Sequence, residues 1–173
     1  MTNCTIEMQD GSKMVFELYP DKAPITVASF AETANSGFYD GLAFCRIVEG
    51  FVIQGGSPDD DIMTDSDFHI PGEFAENGFD TGLLHRRGVI SMARDDAPDT
   101  AGTQFFICHQ DAARLDGRYA AFGMMTEGFD VLDTLAALPT SGKETWNKPL
   151  EMPRMASVRV TSDTPLPPLV RLP

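Results

Sequence analysis

Short runs of alternating apolar and polar residues, each closed by turn residues, constrain the fold of this chain more than any other feature. Apolar side chains occupy every second position in residues 4–8 and again in residues 14–18, and Asp10-Gly11 lies between the two runs. A spacing of two places successive side chains on opposite faces of a β-strand, and Asp-Gly favours the tight turn of a hairpin. The chain is therefore predicted to begin with a β-hairpin.

The same pattern recurs along the chain and predicts further strands. Glycine and proline, 15 and 12 of the 173 residues, are scattered throughout, which favours many short strands joined by turns. The further predicted strands span residues 42–48, 51–54, 89–93, 105–108, 120–125 and 155–161. Because a sheet of short strands loses its open edges when it closes on itself, we expect a mainly β fold, a closed eight-stranded antiparallel β-barrel.

Two α-helices are expected to cap this barrel. The first begins near Pro24, which suits the first position of a helix, and Gly37 is placed to end it in a left-handed conformation. The second covers residues 131–136 and ends before Pro139. Residues 1–163 are predicted to form one domain, followed by a proline-rich, extended tail at residues 164–173.

Charge and composition argue against several classes of partner and site. The net charge is −13 and no cluster of Lys and Arg interrupts it, so we expect binding neither to nucleic acid nor to an anionic membrane. No segment approaches the length needed to span a bilayer, and the N-terminal residues are neither strongly charged nor apolar, which favours a soluble cytoplasmic protein. The three cysteines are widely spaced, which favours reduced thiols over disulfides or a zinc site.

Familiar motifs for metals, nucleophiles and phosphates fail their spacing requirements. The acidic run at residues 59–67 lacks the glycine and glutamate of an EF-hand, and the three histidines share no ligand spacing. Ser91 lacks the G-x-S-x-G elbow, and the glycines at residues 50–56 are not followed by the Lys-Ser/Thr pair of a phosphate loop. Neither a metal nor a cofactor is therefore expected.

Two segments carry a resemblance to a known family. They are FCRIVEGFVIQGG at residues 44–56, and GVISMA at residues 88–93 continuing to QFFIC at residues 104–108. These segments resemble the two active-site strand pairs of the cyclophilins, and the chain is similar to bacterial single-domain members from about Met14 to about Val160. The resemblance is specific, because Arg, Phe and Gln at fixed offsets and a separate Gln-Phe-Phe rarely coincide by chance.

The resemblance implies a peptidyl-prolyl cis-trans isomerase that assists protein folding by accelerating rotation about X-Pro bonds, without a covalent step or a cofactor. Arg46 matches the catalytic arginine, which donates to the prolyl nitrogen, and Gln54 matches the glutamine that orients it. Phe51 and Phe106 match the walls of the pocket that holds the proline ring. Strand alternation then sends Phe105 to the opposite face, into the core.

Substrate contacts are implied at further positions: Val52, Ala93, Arg94, Gln104, Leu115 and Tyr119. Ala93, Arg94 and Gln104 match positions that contact the segment before the proline, the first two mainly through the backbone. The loop that follows, with Asp95 and Asp96, is expected to make this part of the site acidic. Basic or neutral residues upstream of the proline are therefore the expected preference.

Three positions depart from the best-known members of the family. Val52 stands where methionine is common, which shortens one pocket wall. Tyr119 stands where many members have histidine, so we expect activity to be nearly flat between about pH 6 and 8. Arg114 replaces a tryptophan that the family uses to grip cyclosporin, so only weak binding of that drug is expected.

Other functions stay open at this point. One is a catalytically weak proline-peptide-binding or chaperone-like module, although a pure binder need not retain Arg46. Another is a lipocalin-like carrier, which large apolar side chains inside the barrel disfavour. The expected partners are proline-containing peptides and unfolded protein segments, bound by a monomer. The tail is either a floppy terminus or a segment whose own X-Pro bonds occupy the active site of the same or a neighbouring molecule.

Overall fold

An antiparallel sheet of eight strands makes up most of the structure, a computed structural model that describes residues 1–172. The strands are Thr2–Met8 (β1), Lys13–Leu18 (β2), Phe44–Val48 (β3), Val52–Gly55 (β4), Val89–Met92 (β5), Phe105–Cys108 (β6), Ala121–Glu127 (β7) and Met155–Ser162 (β8). The helices are Pro24–Asn35 (α1) and Phe129–Ala136 (α2). The predicted β class, strand number and two helices are confirmed. Within the described residues, every helix is too short or too polar to cross a membrane.

The order of strands across the sheet is β3-β4-β6-β5-β7-β2-β1-β8. The predicted N-terminal hairpin is present, and its register pairs Ile6 with Met14 so that apolar side chains share one face. A second hairpin, β3 and β4, pairs Arg46 with Gln54, and β4 pairs Gln54 with Phe106 of β6. One hairpin and a strand from a distant part of the chain thus bring the predicted catalytic side chains onto one surface.

The sheet curls until its end strands β3 and β8 meet, but it does not close through a full ladder. Near the junction the Phe44 N–H donates to the Pro153 carbonyl at 3.0 Å, and Ala43 and Arg154 form an isolated bridge. The Ala43 N–H bonds to Asp60 Oδ1 at 2.8 Å instead of to β8, and a proline has no N–H to offer in return. The prediction of a fully closed barrel is therefore wrong in this detail.

Aromatic and aliphatic side chains fill the inside of the curled sheet. The Phe30 ring of α1 plugs one end, with its centroid 5.0 Å from that of Phe122 and 5.5 Å from those of Tyr39 and Phe105. Tilted and edge-on contacts of this kind stabilise aromatic clusters beyond the area they bury. A packed interior supports the expectation that the protein is not a lipocalin-like carrier.

The long aperiodic segment at residues 57–87 is fixed to α1 by a buried carboxylate. Glu73 Oε1 accepts the Thr26 N–H at 2.6 Å and the Thr26 hydroxyl at 2.7 Å, and Oε2 accepts the Ile25 N–H at 3.2 Å. A negative charge there satisfies free N–H groups and complements the helix dipole. The segment is therefore anchored to the barrel, although its sequence shows no periodicity.

The proline-rich tail lies against α1 and the long segment. The Arg171 guanidinium lies 3.7 Å from the centroid of the Phe68 ring and donates to a threonine hydroxyl of α1 at 2.9 Å, and Leu172 forms an isolated bridge with His69. Packing and main-chain pairing thus tie the end of the described tail to the rest of the fold, whereas Leu169 and Val170 are exposed. None of residues 164–172 lines the cleft that contains the predicted site residues.

Candidate active site

The predicted site residues converge on one open cleft of about 290 Å³ on the outer face of the sheet. All of them except Gln104 line it: Arg46, Phe51, Val52, Gln54, Ala93, Arg94, Phe106, Leu115 and Tyr119. The cleft is also lined by Ile62, Asp95 and Trp146. Gln104 is hydrogen-bonded to Gln54 and lines an adjoining pocket, which shares Gln54, Ile62, Ala93, Arg94 and Asp95 with the cleft.

Strand alternation explains which phenylalanine of β6 faces the cleft. Phe105 is fully buried in the main core, whereas Phe106 belongs to a second apolar cluster on the other face, together with Val52 and Leu115. The predicted division between the two rings is confirmed. The second cluster forms the apolar floor of the cleft.

A chain of hydrogen bonds fixes the Arg46 side chain. Arg46 Nη1 donates to Gln54 Oε1 at 3.1 Å, and Gln54 Nε2 donates to Gln104 Oε1 at 2.9 Å. Gln104 Nε2 in turn donates to the main-chain carbonyls of Ile62 at 3.1 Å and Thr64 at 3.3 Å. Each amide has its orientation set by the next partner, so the long segment holds the guanidinium in place through two glutamines.

Within the described residues, Arg46 carries its charge without an acidic partner. None of the ion pairs within residues 1–172 includes it, although the chain has a net charge of −13. Burial lowers the pKa of Arg46, but an arginine starts so high that the group stays charged at neutral pH. A half-buried, unpaired cation beside an apolar floor is well placed to donate to a bound peptide.

Stacked rings shape the apolar floor. The Phe106 ring meets Tyr119 edge-on at 5.7 Å and stacks on His85 at 6.0 Å between centroids. The Phe51 ring is covered by the Arg114 guanidinium at 4.1 Å, a distance typical of cation–π contacts. The rings are therefore restrained from behind and from the side, which suits a rigid pocket for a small apolar ring.

Behind Phe106, three side chains form a line that has the composition of a hydrolytic triad. His85 Nδ1 lies 3.0 Å from Asp116 Oδ1, and His85 Nε2 lies 2.9 Å from Ser91 Oγ. Ser91 is fully buried and His85 is 1% exposed, so no substrate carbonyl is able to reach the hydroxyl. The line holds the imidazole flat beneath Phe106 and does not act as a nucleophilic site.

Burial of His85 predicts a pH-dependent stability. It lowers the pKa of the imidazole below the ordinary 6.5, so the unfolded chain takes up a proton here that the folded protein does not. The free energy of unfolding is therefore expected to decrease as pH falls below 6.5, with a slope of up to about 1.4 kcal/mol per pH unit. Urea titrations between pH 5 and 8 on wild type and His85→Gln measure this slope. An unchanged slope in the variant contradicts its assignment to His85.

The turn between β3 and β4 is held by a histidine that was not predicted. His109 Nδ1 accepts the Gly50 N–H at 2.8 Å, and the His109 N–H donates to the Phe51 carbonyl at 2.8 Å. His109 Nε2 lies 2.9 Å from Asp133 Oδ1. These contacts fix the segment that carries Phe51 into the cleft. No local pattern reveals them, because the bonded residues are 59 positions apart.

The end of the cleft that follows β5 carries a bonded cation and a free acid. The Arg94 guanidinium lies over the Phe74 ring at 4.6 Å and over Tyr119 at 4.9 Å, and Nε donates to the Arg118 carbonyl at 2.8 Å. Asp95 lines the cleft beside it and is exposed. The charge of Arg94 is thus held against rings and carbonyl oxygens, whereas the Asp95 carboxylate faces solvent.

Comparison with known proteins places the chain among prolyl isomerases. The family model described as "Cyclophilin type peptidyl-prolyl cis-trans isomerase/CLD" matches residues 4–160. The chain is 43% identical over 123 residues to peptidyl-prolyl cis-trans isomerase B of Bacillus subtilis, an alignment that covers 71% of this chain and 82% of that protein. It is 41% identical over 133 residues to the peptidyl-prolyl cis-trans isomerase of Helicobacter pylori, covering 76% of this chain and 78% of that protein.

Solved structures agree with the sequence relatives. A Cryptosporidium parvum cyclophilin-type peptidyl-prolyl cis-trans isomerase, crystallised in the presence of the dipeptide Ala-Pro, superposes with a TM-score of 0.82 at 29% identity, covering 93% of this chain and 99% of that one. A cyclophilin from Hirschia baltica superposes with a TM-score of 0.76 at 25% identity, covering 94% of this chain and 75% of that one. The curled sheet and its two helices are therefore shared with proteins of this type.

Proposed function

The chain belongs to the cyclophilin family and is a peptidyl-prolyl cis-trans isomerase, and we propose that the cleft around Arg46 is its active site. The observation that carries the proposal is the Arg46 guanidinium, which is charged and forms no ion pair within residues 1–172. Gln54 orients it at 3.1 Å beside the apolar floor of the cleft. A site that only bound proline would need the floor but not the cation.

Arg46 is required to stabilise the twisted transition state of the X-Pro bond more than the planar ground state. An X-Pro bond resists rotation because amide resonance gives a barrier near 20 kcal/mol, and twisting the bond returns the lone pair to the prolyl nitrogen. A guanidinium N–H aimed at that nitrogen gains a hydrogen bond only in the twisted state. Such an interaction lowers the barrier without tightening the ground state, and a preorganised charged donor is worth about 2 to 4 kcal/mol.

The apolar floor supplies the second half of the mechanism. Phe51, Phe106 and Leu115, with Val52 beside them, hold the proline ring, and the carbonyl that precedes the proline is left free to swing. Because Phe106 is stacked on His85 and edge-on to Tyr119, the ring binds a surface that does not yield during rotation. Gln54 orients Arg46 and contacts the peptide backbone. No covalent step and no cofactor are required.

A peptide titration tests the assignment of the site. Exchange NMR on an Ala-Pro peptide is expected to show accelerated isomerisation, and amide shifts of the protein are expected to cluster on β3, β4 and β6. Acceleration with shifts elsewhere, for example in the groove between Gln9 and Arg154, contradicts the assignment. Binding in the cleft without acceleration favours the alternative, a proline-peptide-binding or chaperone-like module.

Charge selection upstream of the proline follows from the arrangement around Ala93. Its N–H pairs with the Gln104 carbonyl at 3.1 Å, which extends the pairing of β5 with β6 and fixes this end of the cleft, and Asp95 faces solvent there. A peptide with Lys upstream of Ala-Pro is expected to have a kcat/KM about 2- to 5-fold above its Glu counterpart at low salt. Asp95→Asn should reduce this ratio, whereas Asp21→Asn, an equal change of net charge outside the cleft lining, should not. A ratio of one in wild type contradicts the prediction.

Activity is expected to be nearly flat between about pH 6 and 8. The residues that line the cleft include no histidine, Arg46 stays charged, and burial keeps the pKa of His85 low. Rates of peptide isomerisation measured across this range, at saturating and at low peptide concentration, test the prediction. A clear inflection of kcat/KM with pH in this range would contradict the prediction and indicate a titrating group in the site.

We also propose the physiological setting. Substrates are X-Pro bonds in unfolded or flexible protein segments, and the protein acts as a monomer in the cytoplasm, a reducing compartment that suits its three free cysteines. Weak binding of cyclosporin stays a prediction, supported by the Arg114 guanidinium over Phe51, where a tryptophan is absent.

A further inference from the structure

Trp146, which no feature of the sequence assigned to the site, stands at the rim of the cleft. It is the only tryptophan of the chain, it lines the cleft together with Arg46, and it is 56% exposed. Tryptophan combines a large apolar ring system with one N–H donor and is enriched at sites where partners bind. An indole at the mouth of the proposed peptide-binding cleft is therefore a candidate contact for the bound peptide.

The loop that carries Trp146 is held in one conformation by its own main chain. Thr140 and Pro149 form an isolated bridge, the Asn147 N–H donates to the Gly142 carbonyl at 2.9 Å, and the Trp146 N–H donates to the Lys143 carbonyl at 3.2 Å. Trp146 has a φ of 62°, a left-handed conformation that is unfavourable for a bulky side chain. Asn147, with a φ of 53°, is of a type that adopts this conformation more readily. Strain of this kind persists where the surroundings fix it, often at functional sites.

A contact with β3 places this loop beside the catalytic arginine. The Ile47 N–H donates to the Asn147 carbonyl at 3.0 Å, so the residue after Trp146 is bonded to the residue after Arg46. The two side chains are thereby carried by directly linked main-chain segments.

The order of strands shows at which end of the cleft Trp146 lies. β3 is an edge strand of the series β3-β4-β6-β5, and Ala93 and Arg94 follow β5 at the far side. Three strand spacings separate the two ends, about 14 Å. Since residues before the proline bind at the Ala93 end, the residues after the proline run toward β3 and Trp146.

We propose that Trp146 is a specificity-determining residue, whose indole packs against the side chain of the first or second residue after the proline. The inference rests on the proposed active site and adds to it the other end of the substrate. Aromatic and large aliphatic side chains gain contact area on an indole, whereas glycine gains none. The enzyme is expected to favour peptides of the type Ala-Pro-Phe-Phe over Ala-Pro-Gly-Gly by about 3- to 10-fold in kcat/KM.

The experiment compares these two peptides on four proteins. Trp146→Ala is expected to bring the ratio of the two kcat/KM values close to one, mainly by raising the KM of the Phe-Phe peptide. Trp146→Phe is expected to keep most of the wild-type preference. Leu150→Ala is the matched control, because this residue is 68% exposed in the same region and does not line the cleft. An unchanged ratio in Trp146→Ala overturns the proposal.

A second measurement does not depend on a variant that folds or on turnover. Because the chain has one tryptophan, its selectively excited emission reports on position 146 alone. Binding of the Phe-Phe peptide is expected to shift or quench it, and the Gly-Gly peptide is expected to change it less. Binding seen as amide shifts in the cleft with unchanged emission overturns the role of Trp146 alone, whereas failure of the wild type to bind either peptide overturns the proposed active site as well.

Discussion

Replacing Arg46 by alanine is expected to reduce kcat/KM for an Ala-Pro peptide by about 30- to 1,000-fold, the factor that corresponds to a donor worth 2 to 4 kcal/mol. In the proposed mechanism the guanidinium meets the prolyl nitrogen only while the bond is twisted, so the loss should fall on kcat more than on KM. Exchange NMR with a peptide titration separates the two parameters.

Two further variants identify what the arginine contributes. Arg46→Lys keeps the charge but loses the planar fork that bonds Gln54 and a peptide together, so an intermediate loss is expected. Arg118→Ala removes an exposed arginine that pairs with Glu76 and should stay within twofold of wild type. Circular dichroism and thermal unfolding verify that each variant is folded. Wild-type turnover by a folded Arg46→Ala protein contradicts the proposed mechanism.

The strands were predictable because each has one face in the core. The predicted run at residues 105–108 and the observed β6 coincide, and the hairpin of β1 and β2 has the register expected from its alternation. The strand predicted at residues 42–48 begins two residues later, at Phe44. The first residues of the predicted strand are apolar, but the Ala43 N–H bonds to a side chain instead of to a neighbouring strand. The alternation of apolar and polar residues does not predict which partner an N–H bonds to.

The site was predictable where its residues share a local register, and unpredictable where distant segments support it. Arg46 and Gln54 face each other across one hairpin, so a resemblance in sequence places both. The carbonyls that hold Gln104 come from an aperiodic segment, and His85 reaches Phe106 through bonds to Ser91 and a distant aspartate. Such contacts depend on loop paths that neither periodicity nor composition fixes.

Gly56, which directly follows β4, is expected to tolerate no side chain. Gly56 follows β4 with a φ of 88°, and a Cβ there would lie 2.6 Å from the Thr103 carbonyl oxygen and 2.9 Å from a ring carbon of Tyr39. A left-handed conformation costs a residue other than glycine about 1 to 2 kcal/mol, and forcing a methyl group into packed structure costs about 1 to 3 kcal/mol more. Gly56→Ala is therefore expected to lower the free energy of unfolding by about 2 to 5 kcal/mol.

Gly50→Ala is the matched control for this clash, because Gly50 has nearly the same conformation without the crowding. Its φ is 80°, and within residues 1–172 no heavy atom beyond Gly50 and its two chain neighbours lies within 4 Å of the point that an alanine Cβ would occupy. Only the conformational cost of about 1 to 2 kcal/mol therefore applies. Urea unfolding of both variants isolates the contribution of the close approach to Thr103. Equal losses at the two positions would assign the whole effect to backbone conformation. A larger loss at Gly56 would show that the end of β4, and with it Gln54, is held by contact with the segment that leads into β6 and the proposed proline pocket.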